Sequence, residues 1–158
     1  MSVDFSKLPR LNLPPAEFNV RVTAAGRPQI FDLQRSRWVA LTPEEWVRQH
    51  FVAMLISDKG YMRGRVANEV SLELNGVSRR CDTVVFDCCS RPLMIVEYKA
   101  PGVAITQKTF DQIARYNMIL QARYLVVSNG LSHFCCEMDY AGGSYRFLRD
   151  IPSMDGEE

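Results

Sequence analysis

Leu93-Met94-Ile95-Val96, four apolar residues in a row, run directly into Glu97-Tyr98-Lys99. A run that is apolar on both sides of the pleat predicts an interior strand. Side chains alternate faces along a strand, so Glu97 and Lys99 emerge together, on the side of Leu93 and Ile95. Upstream, Asp82-Thr83-Val84-Val85-Phe86-Asp87 is a second such segment, and it opens on a carboxylate. Strands are expected near 66–74, 81–88 and 92–99, with Asn75-Gly76 as the turn of a first hairpin. Tyr124-Leu125-Val126-Val127-Ser128 predicts a buried strand ended by Asn129-Gly130, and His133 to Met138 and Ser144 to Leu148 predict two more around Gly142-Gly143.

Two stretches carry helical spacing instead. Leu41-Thr42-Pro43-Glu44-Glu45 is a start signal: Thr42 caps, Pro43 suits the first helical position and Glu45 completes a capping box. Trp46, Val47, His50, Phe51, Met54 and Leu55 then repeat on one face to about residue 57. A second helix is expected over about 106–121, with Phe110, Ile113, Ala114, Asn117 and Leu120 on one side. Before the first helix, residues 1–17 hold Pro9, Pro14 and Pro15 and read as an irregular arm, while 18–41 read as a small hairpin or meander. The order is mixed α/β: an arm and β-hairpin elaboration over 1–40, a core over 41–152, and an acidic tail over 153–158, all within one structural domain.

Composition narrows the field only a little. The net charge of +1 gives no global field drawing the chain to nucleic acid, although arginine outnumbers lysine 15 to 4, and arginine suits bidentate phosphate contacts. Five cysteines, with the adjacent pairs Cys88-Cys89 and Cys135-Cys136, make a poor disulfide framework and show no CxxC spacing for zinc. Each adjacent pair alternates faces on a strand, so one member of each is expected to be buried. No basic-then-apolar leader opens the sequence and no apolar run approaches bilayer length, so a reducing cytoplasm is the expected setting and no membrane partner is expected.

The chemistry lies in the carboxylates at the strand ends. Charges at the end of an interior strand are costly to desolvate unless something compensates them. Asp82 and Glu97 on neighbouring strands, with the backbone carbonyl of Tyr98, could hold a hard divalent ion otherwise ligated by water and phosphate. Lys99 would sit beside that ion, placed to orient a water and to stabilise developing negative charge. That set points to phosphodiester hydrolysis.

The pattern resembles the PD-(D/E)xK nuclease superfamily. Glu69 lies on the preceding segment Asn68-Glu69-Val70-Ser71-Leu72-Glu73-Leu74, where the superfamily often has a further acidic residue. Phe110-Asp111-Gln112-Ile113-Ala114-Arg115-Tyr116-Asn117 looks like the Q-x-x-x-Y element of the nuclease domain that begins type I restriction enzyme motor subunits. From Leu41 to Gly130 the chain is similar to a small stand-alone version of that domain, with Cys81 standing where proline is usual. The resemblance implies a restriction-endonuclease-like core, a central mixed β-sheet flanked by helices. It implies Asp82 and Glu97 as metal ligands, Lys99 as the catalytic lysine, Glu69 as a residue assisting the metal or its water, and Gln112 and Tyr116 facing the site or the nucleic-acid backbone. The cofactor it implies is Mg²⁺ or Mn²⁺, and the partner is nucleic acid, DNA above RNA. A homodimer is one way for so small a domain to cut both strands, and a larger restriction or defence complex is another.

Plainer readings stand beside these. Asp82, Glu97 and Lys99 form a structural ion-pair cluster on one of them. Thr109-Phe110-Asp111-Gln112 matches a capping box, which would make Gln112 a cap of a later-starting helix. Tyr116 is equally a core aromatic, and His50 and His133 read as packing or surface histidines. Arg79-Arg80 reads as solvated cations of an exposed turn that could flank a phosphate path. The rival function is a non-catalytic nucleic-acid-binding or protein-interaction module that keeps the nuclease scaffold. A further one is an accessory subunit that cuts only inside a complex.

Overall fold

Thr42 accepts a hydrogen bond from the Glu45 N–H (3.1 Å) and Pro43 fills the first turn, so helix α1 (Pro43–Ser57) begins where the capping box places it. Its stripe of Val47, Phe51 and Leu55 is fully buried. The fold is that of a computed structural model describing residues 3–156; the side chains of Lys7, Leu74, Tyr116 and Ile119 lie outside what is described, as do Glu157 and Glu158 of the acidic tail.

The stripe packs on a six-stranded sheet in the order β4 (Val66–Leu74), β5 (Val77–Phe86), β6 (Pro92–Tyr98), β7 (Tyr124–Ser128), β8 (His133–Asp139), β9 (Ser144–Leu148). Neighbours are antiparallel except β6 and β7, which are parallel and joined through helix α2 (Gln107–Leu120). The sheet is therefore mixed. On the α1 side lie Val66, Val85, Met94, Val96, Tyr98, Val126 and Cys135. On the α2 side lie Cys81, Val84, Ile95, Leu125, Val127 and Cys136, under Phe110, Ile113 and Ala114. Covering both faces is what an unalternating apolar run requires. A separate three-stranded meander, β1 (Val20–Val22), β2 (Pro28–Asp32) and β3 (Arg37–Ala40), precedes α1.

The double cover corrects the cysteine expectation. Cys135 and Cys136 do point to opposite faces, yet both are buried, whereas Cys88 and Cys89 sit together, exposed, in the turn after β5. Asp87 holds that turn by accepting the N–H groups of Cys89 and Arg91. Strand β5 also starts earlier than expected, at Val77, because Asn75 and Gly76 both take positive φ and close a two-residue hairpin. Arg79 and Arg80 consequently lie within the strand and not in a turn.

The N-terminal arm crosses the far end of the sheet. Asn12 donates its N–H to the Gly130 carbonyl (2.8 Å), and Leu11 is buried against Gly130. Gly130 has φ +83°, and a Cβ there would stand 2.7 Å from Leu11, so the crossing needs glycine. His133 is held between Ser128 Oγ (2.7 Å) and the Asn12 carbonyl (2.8 Å), a packing role. His50 contacts the Trp46 carbonyl and packs edge-on against Trp46 and Phe18; burial lowers its pKa. Among the described residues no helix is long and apolar enough to cross a membrane.

One irregularity positions everything that follows. Strands β4 and β5 pair at Asn68 with Thr83 and again at Val70 with Cys81, but not at Glu69 and Asp82 between them. Glu69 has φ +57°, a left-handed conformation rare for a residue with a side chain. Residues two apart on a regular strand share a face. Here Asn68 and Thr83 turn toward the α1 side, while Val70 and Cys81 belong to the α2 side. The side-chain order reverses at Glu69 and Asp82.

Candidate functional site

At that reversal Asp82 leaves the ladder and its carboxylate replaces a backbone acceptor. The Tyr98 N–H donates to Asp82 Oδ2 (2.9 Å), fixing the carboxylate on the seam between β5 and β6. Glu97, one residue earlier on β6, projects to the α2 side with Ile95 and is 9% exposed. Its carboxyl group lies within hydrogen-bond reach of Asp82, and its pKa is pushed up to about 8. Burial is the largest cause, then the charge of Asp82 and the hydrogen bond with it; Arg79 pulls the other way. Arg79 Nη2 lies 2.9 Å from Glu97 Oε1. Lys99 is the first residue past β6, and its N–H donates to the Ser128 carbonyl (2.9 Å), so the strand's alternation continues through it. Lys99 makes no ion pair or side-chain hydrogen bond among the described residues.

The other side of the sheet holds a buried polar network that anchors these strands. Arg48 of α1 donates from Nη1 to the Asp82 carbonyl (2.8 Å) and from Nη2 to Glu69 Oε1 (2.6 Å). Its Nε lies 2.9 Å from Glu45 Oε2, an ion-pair contact whose angle does not make a hydrogen bond, and its guanidinium carbon is 5.8 Å from the Tyr98 ring centroid. Glu45 also pairs with Arg35, and Arg35 with Asp32. Asn68 Nδ2 donates to Asp32 (3.1 Å), Thr83 Oγ1 donates to Asn68 Oδ1 (2.7 Å), and the Tyr98 hydroxyl donates to Thr83 Oγ1 (2.9 Å). The chain of contacts thus runs from β2 through α1 and β4 to the residue that follows Glu97.

Asp32 gives this network a pH signature. Burial alone would raise its pKa, but the Asn68 hydrogen bond, then the hydrogen bond and charge of Arg35, outweigh it and hold the value below the usual range. A depressed carboxylate contributes stability above its unfolded pKa of about 3.9, and that contribution is lost as pH falls through the lower folded value. Asp32→Asn is expected to cost about 2 kcal/mol at pH 7, with the gap to wild type narrowing below pH 4. Urea denaturation across pH 3–7 measures it, and a gap independent of pH would remove Asp32 as the cause.

A cavity of about 660 Å³ lies between the N-terminal arm, β2 and α1, with Phe18, Asp32 and Gln49 in its wall. It is on the α1 side, away from Glu97. The model of the family described as the type I restriction enzyme R protein N terminus matches residues 43–152, which include every residue of the Asp82–Glu97–Lys99 group. The chain belongs to that family. A solved fragment described as an HsdR subunit of a type I restriction enzyme from Vibrio vulnificus YJ016 shares the fold, with a TM-score of 0.52 at 20% sequence identity. The match covers 73% of this chain but 24% of that one, so this R-protein N-terminal domain spans about a quarter of the longer chain. No curated protein matches it.

Within this family fold, the residues singled out from the sequence separate into three groups. Asp82 and Glu97 are in contact, and Lys99 follows on the same strand direction. Glu69 is drawn away: its carboxylate is gripped by Arg48 and Arg80, which together lower its pKa against the opposing effect of burial. Among the described residues no group of three or more His, Cys, Asp or Glu side chains converges as a metal site. The geometry therefore assembles two acids and not three. Gln112 is exposed on α2, and the capping alternative for it falls, since Thr106 caps the helix by accepting from the Thr109 N–H (3.2 Å). The side chain of Tyr116 lies outside the described residues.

The sequence reading missed Arg48 and placed Arg79 and Arg80 in a turn. The two were set in a turn because three polar residues, Ser78-Arg79-Arg80, follow Asn75-Gly76 closely. Had β5 been extended back to Asn75-Gly76, alternation would have set Arg79 on the face of Cys81. Arg48 had a signal too: it lies one turn after Glu45 on a helix whose neighbours at 47, 51 and 55 are core residues.

Proposed function

We propose that this domain hydrolyses phosphodiester bonds in DNA with Mg²⁺ or Mn²⁺ held by Asp82, Glu97 and the Tyr98 carbonyl. The observation that carries the reading is the contact between the two carboxyl groups in a largely buried place. Two acids so placed repel when both are charged, and a hard divalent ion satisfies both where one proton satisfies one. Magnesium is commonly bound by one or two carboxylates together with water and phosphate, so two acids suffice. The ion, when bound, neutralises phosphate charge and acidifies a water.

The chain's own residues do the rest. Asp82 is kept from rotating by the Tyr98 N–H, and Glu97 beside it would be the second carboxylate to hold the ion. The Lys99 ammonium, unengaged by any described carboxylate, orients the attacking water and stabilises the charge that builds on the phosphorus oxygens. Glu69 acts at one remove, as the anchor of Arg48. Gln112, exposed on α2, and Tyr116 four residues on serve the nucleic-acid backbone. Family membership supports a restriction or defence setting, in which the domain works within a larger complex on DNA.

Plasmid and single-stranded DNA incubated with Mg²⁺, Mn²⁺ or EDTA test this. Cleavage with either metal and none in EDTA is the expected result. Cleavage indifferent to EDTA overturns the metal assignment. DNA binding with no cleavage under any condition, alone or with partner subunits, favours the non-catalytic module instead.

A further inference from the structure

Glu97 is already occupied by a cation of the chain itself. We infer that Arg79 is a phosphate-binding catalytic residue, parked on Glu97 until a divalent ion takes that carboxylate. The inference rests on the reading of Asp82 and Glu97 given above, and it adds a residue and an order of events to it.

The Arg79–Glu97 contact is 2.9 Å long, with the two side chains only 19% and 12% exposed. A guanidinium and a carboxylate held that far out of water are strongly coupled, and neither is cheaply left alone. By contrast Arg80 on Glu69 is 67% exposed, where an ion pair is worth little. The last β5–β6 pair in the register is Thr83 with Val96, so Arg79 lies on a stretch of β5 that pairs with Leu72 of β4 but is not paired with β6. Its guanidinium reaches past Cys81 to Glu97.

A divalent ion on Asp82 and Glu97 competes with Arg79 for the same carboxylate and repels the guanidinium beside it. A displaced guanidinium next to a bound phosphate has an obvious second partner. Its planar fork fits two phosphate oxygens at once, which a lysine cannot do. Lys99 would then act on the water and Arg79 on the phosphate, bringing two positive charges to a transition state that gains negative charge.

Mn²⁺ binding without DNA, followed by electron paramagnetic resonance or calorimetry, tests the parked state. Arg79→Gln is expected to bind Mn²⁺ about tenfold more tightly than wild type, since the competing charge is gone. Arg79→Lys keeps the charge and is expected to bind it like wild type. Fluorescence anisotropy with labelled DNA tests the released state. In Ca²⁺, Arg79→Gln and Arg79→Lys should both bind DNA about tenfold less tightly than wild type, while in EDTA all three should agree. Mn²⁺ affinity of Arg79→Gln equal to or below wild type overturns the inference, as does equal DNA affinity in Ca²⁺. Absence of Mn²⁺ binding in wild type and both variants instead removes the metal reading on which it rests. Circular dichroism melts confirm that each variant is folded, and Arg79→Lys carries the DNA test where Arg79→Gln is not.

Discussion

Lys99→Ala is expected to slow metal-dependent DNA cleavage about 10²- to 10³-fold, the loss typical of removing one preorganised group that stabilises developing charge. Stability should hardly change. Lys99 makes no ion pair or side-chain hydrogen bond among the described residues, so its removal strands no described buried partner, and the strand is held by its backbone bond to Ser128. Changes without such consequences usually stay within about 0.5 kcal/mol. Single-turnover cleavage in Mn²⁺ beside a thermal melt separates the two effects. A variant that melts like wild type and cuts within threefold of it would leave Lys99 without a catalytic role. Mn²⁺ affinity provides a second comparison, because Lys99 is not assigned as a ligand and its removal should not weaken ion binding.

Arg48→Met is expected to behave in the opposite way, with a loss of about 3 to 5 kcal/mol in stability. That is a large part of the 5 to 15 kcal/mol that holds a typical domain together. The side chain is nearly fully buried, and its removal leaves Glu45 and Glu69 short of a cation and the Asp82 carbonyl short of a donor. The hydrophobic replacement fills the space but satisfies none of these groups. Urea denaturation at pH 7 measures the loss. Adding Glu69→Gln to Arg48→Met should recover part of it, because it removes a carboxylate left with only the exposed Arg80, and a double variant less stable than the single one would contradict this account. Where the single variant still folds, Asp82 should be less firmly held, so Mn²⁺ affinity should fall with it.

The sequence made the framework legible where one signal dominated. The Thr42 cap, the Asn75-Gly76 turn and the unbroken apolar runs at 93–96 and 124–127 each have one cheap structural answer, and the chain adopts it. The contact between Asp82 and Glu97 was readable as adjacency, since both sit at the ends of strands expected to be neighbours. The reversal at Glu69 was not. A glutamate with positive φ is unfavourable in isolation and is held there by Arg48 from another element and Arg80 from another strand, which no local pattern reveals. Arg79 was obscured by its polar neighbours, and the fates of the two cysteine pairs depended on which strands are covered on both faces. Those are tertiary facts.

The family match begins at residue 43, but the electrostatics of the site begin at Asp32. Arg35 and Asp32 lie upstream of that boundary, and through Glu45 and Arg48 they reach the Asp82 carbonyl. A minimal fragment trimmed to the homologous segment would keep every proposed ligand and still deprive Glu45, at the root of α1, of one of its two cations. Anyone shortening the protein, or grafting its homologous segment onto another carrier, would have to bring the meander along.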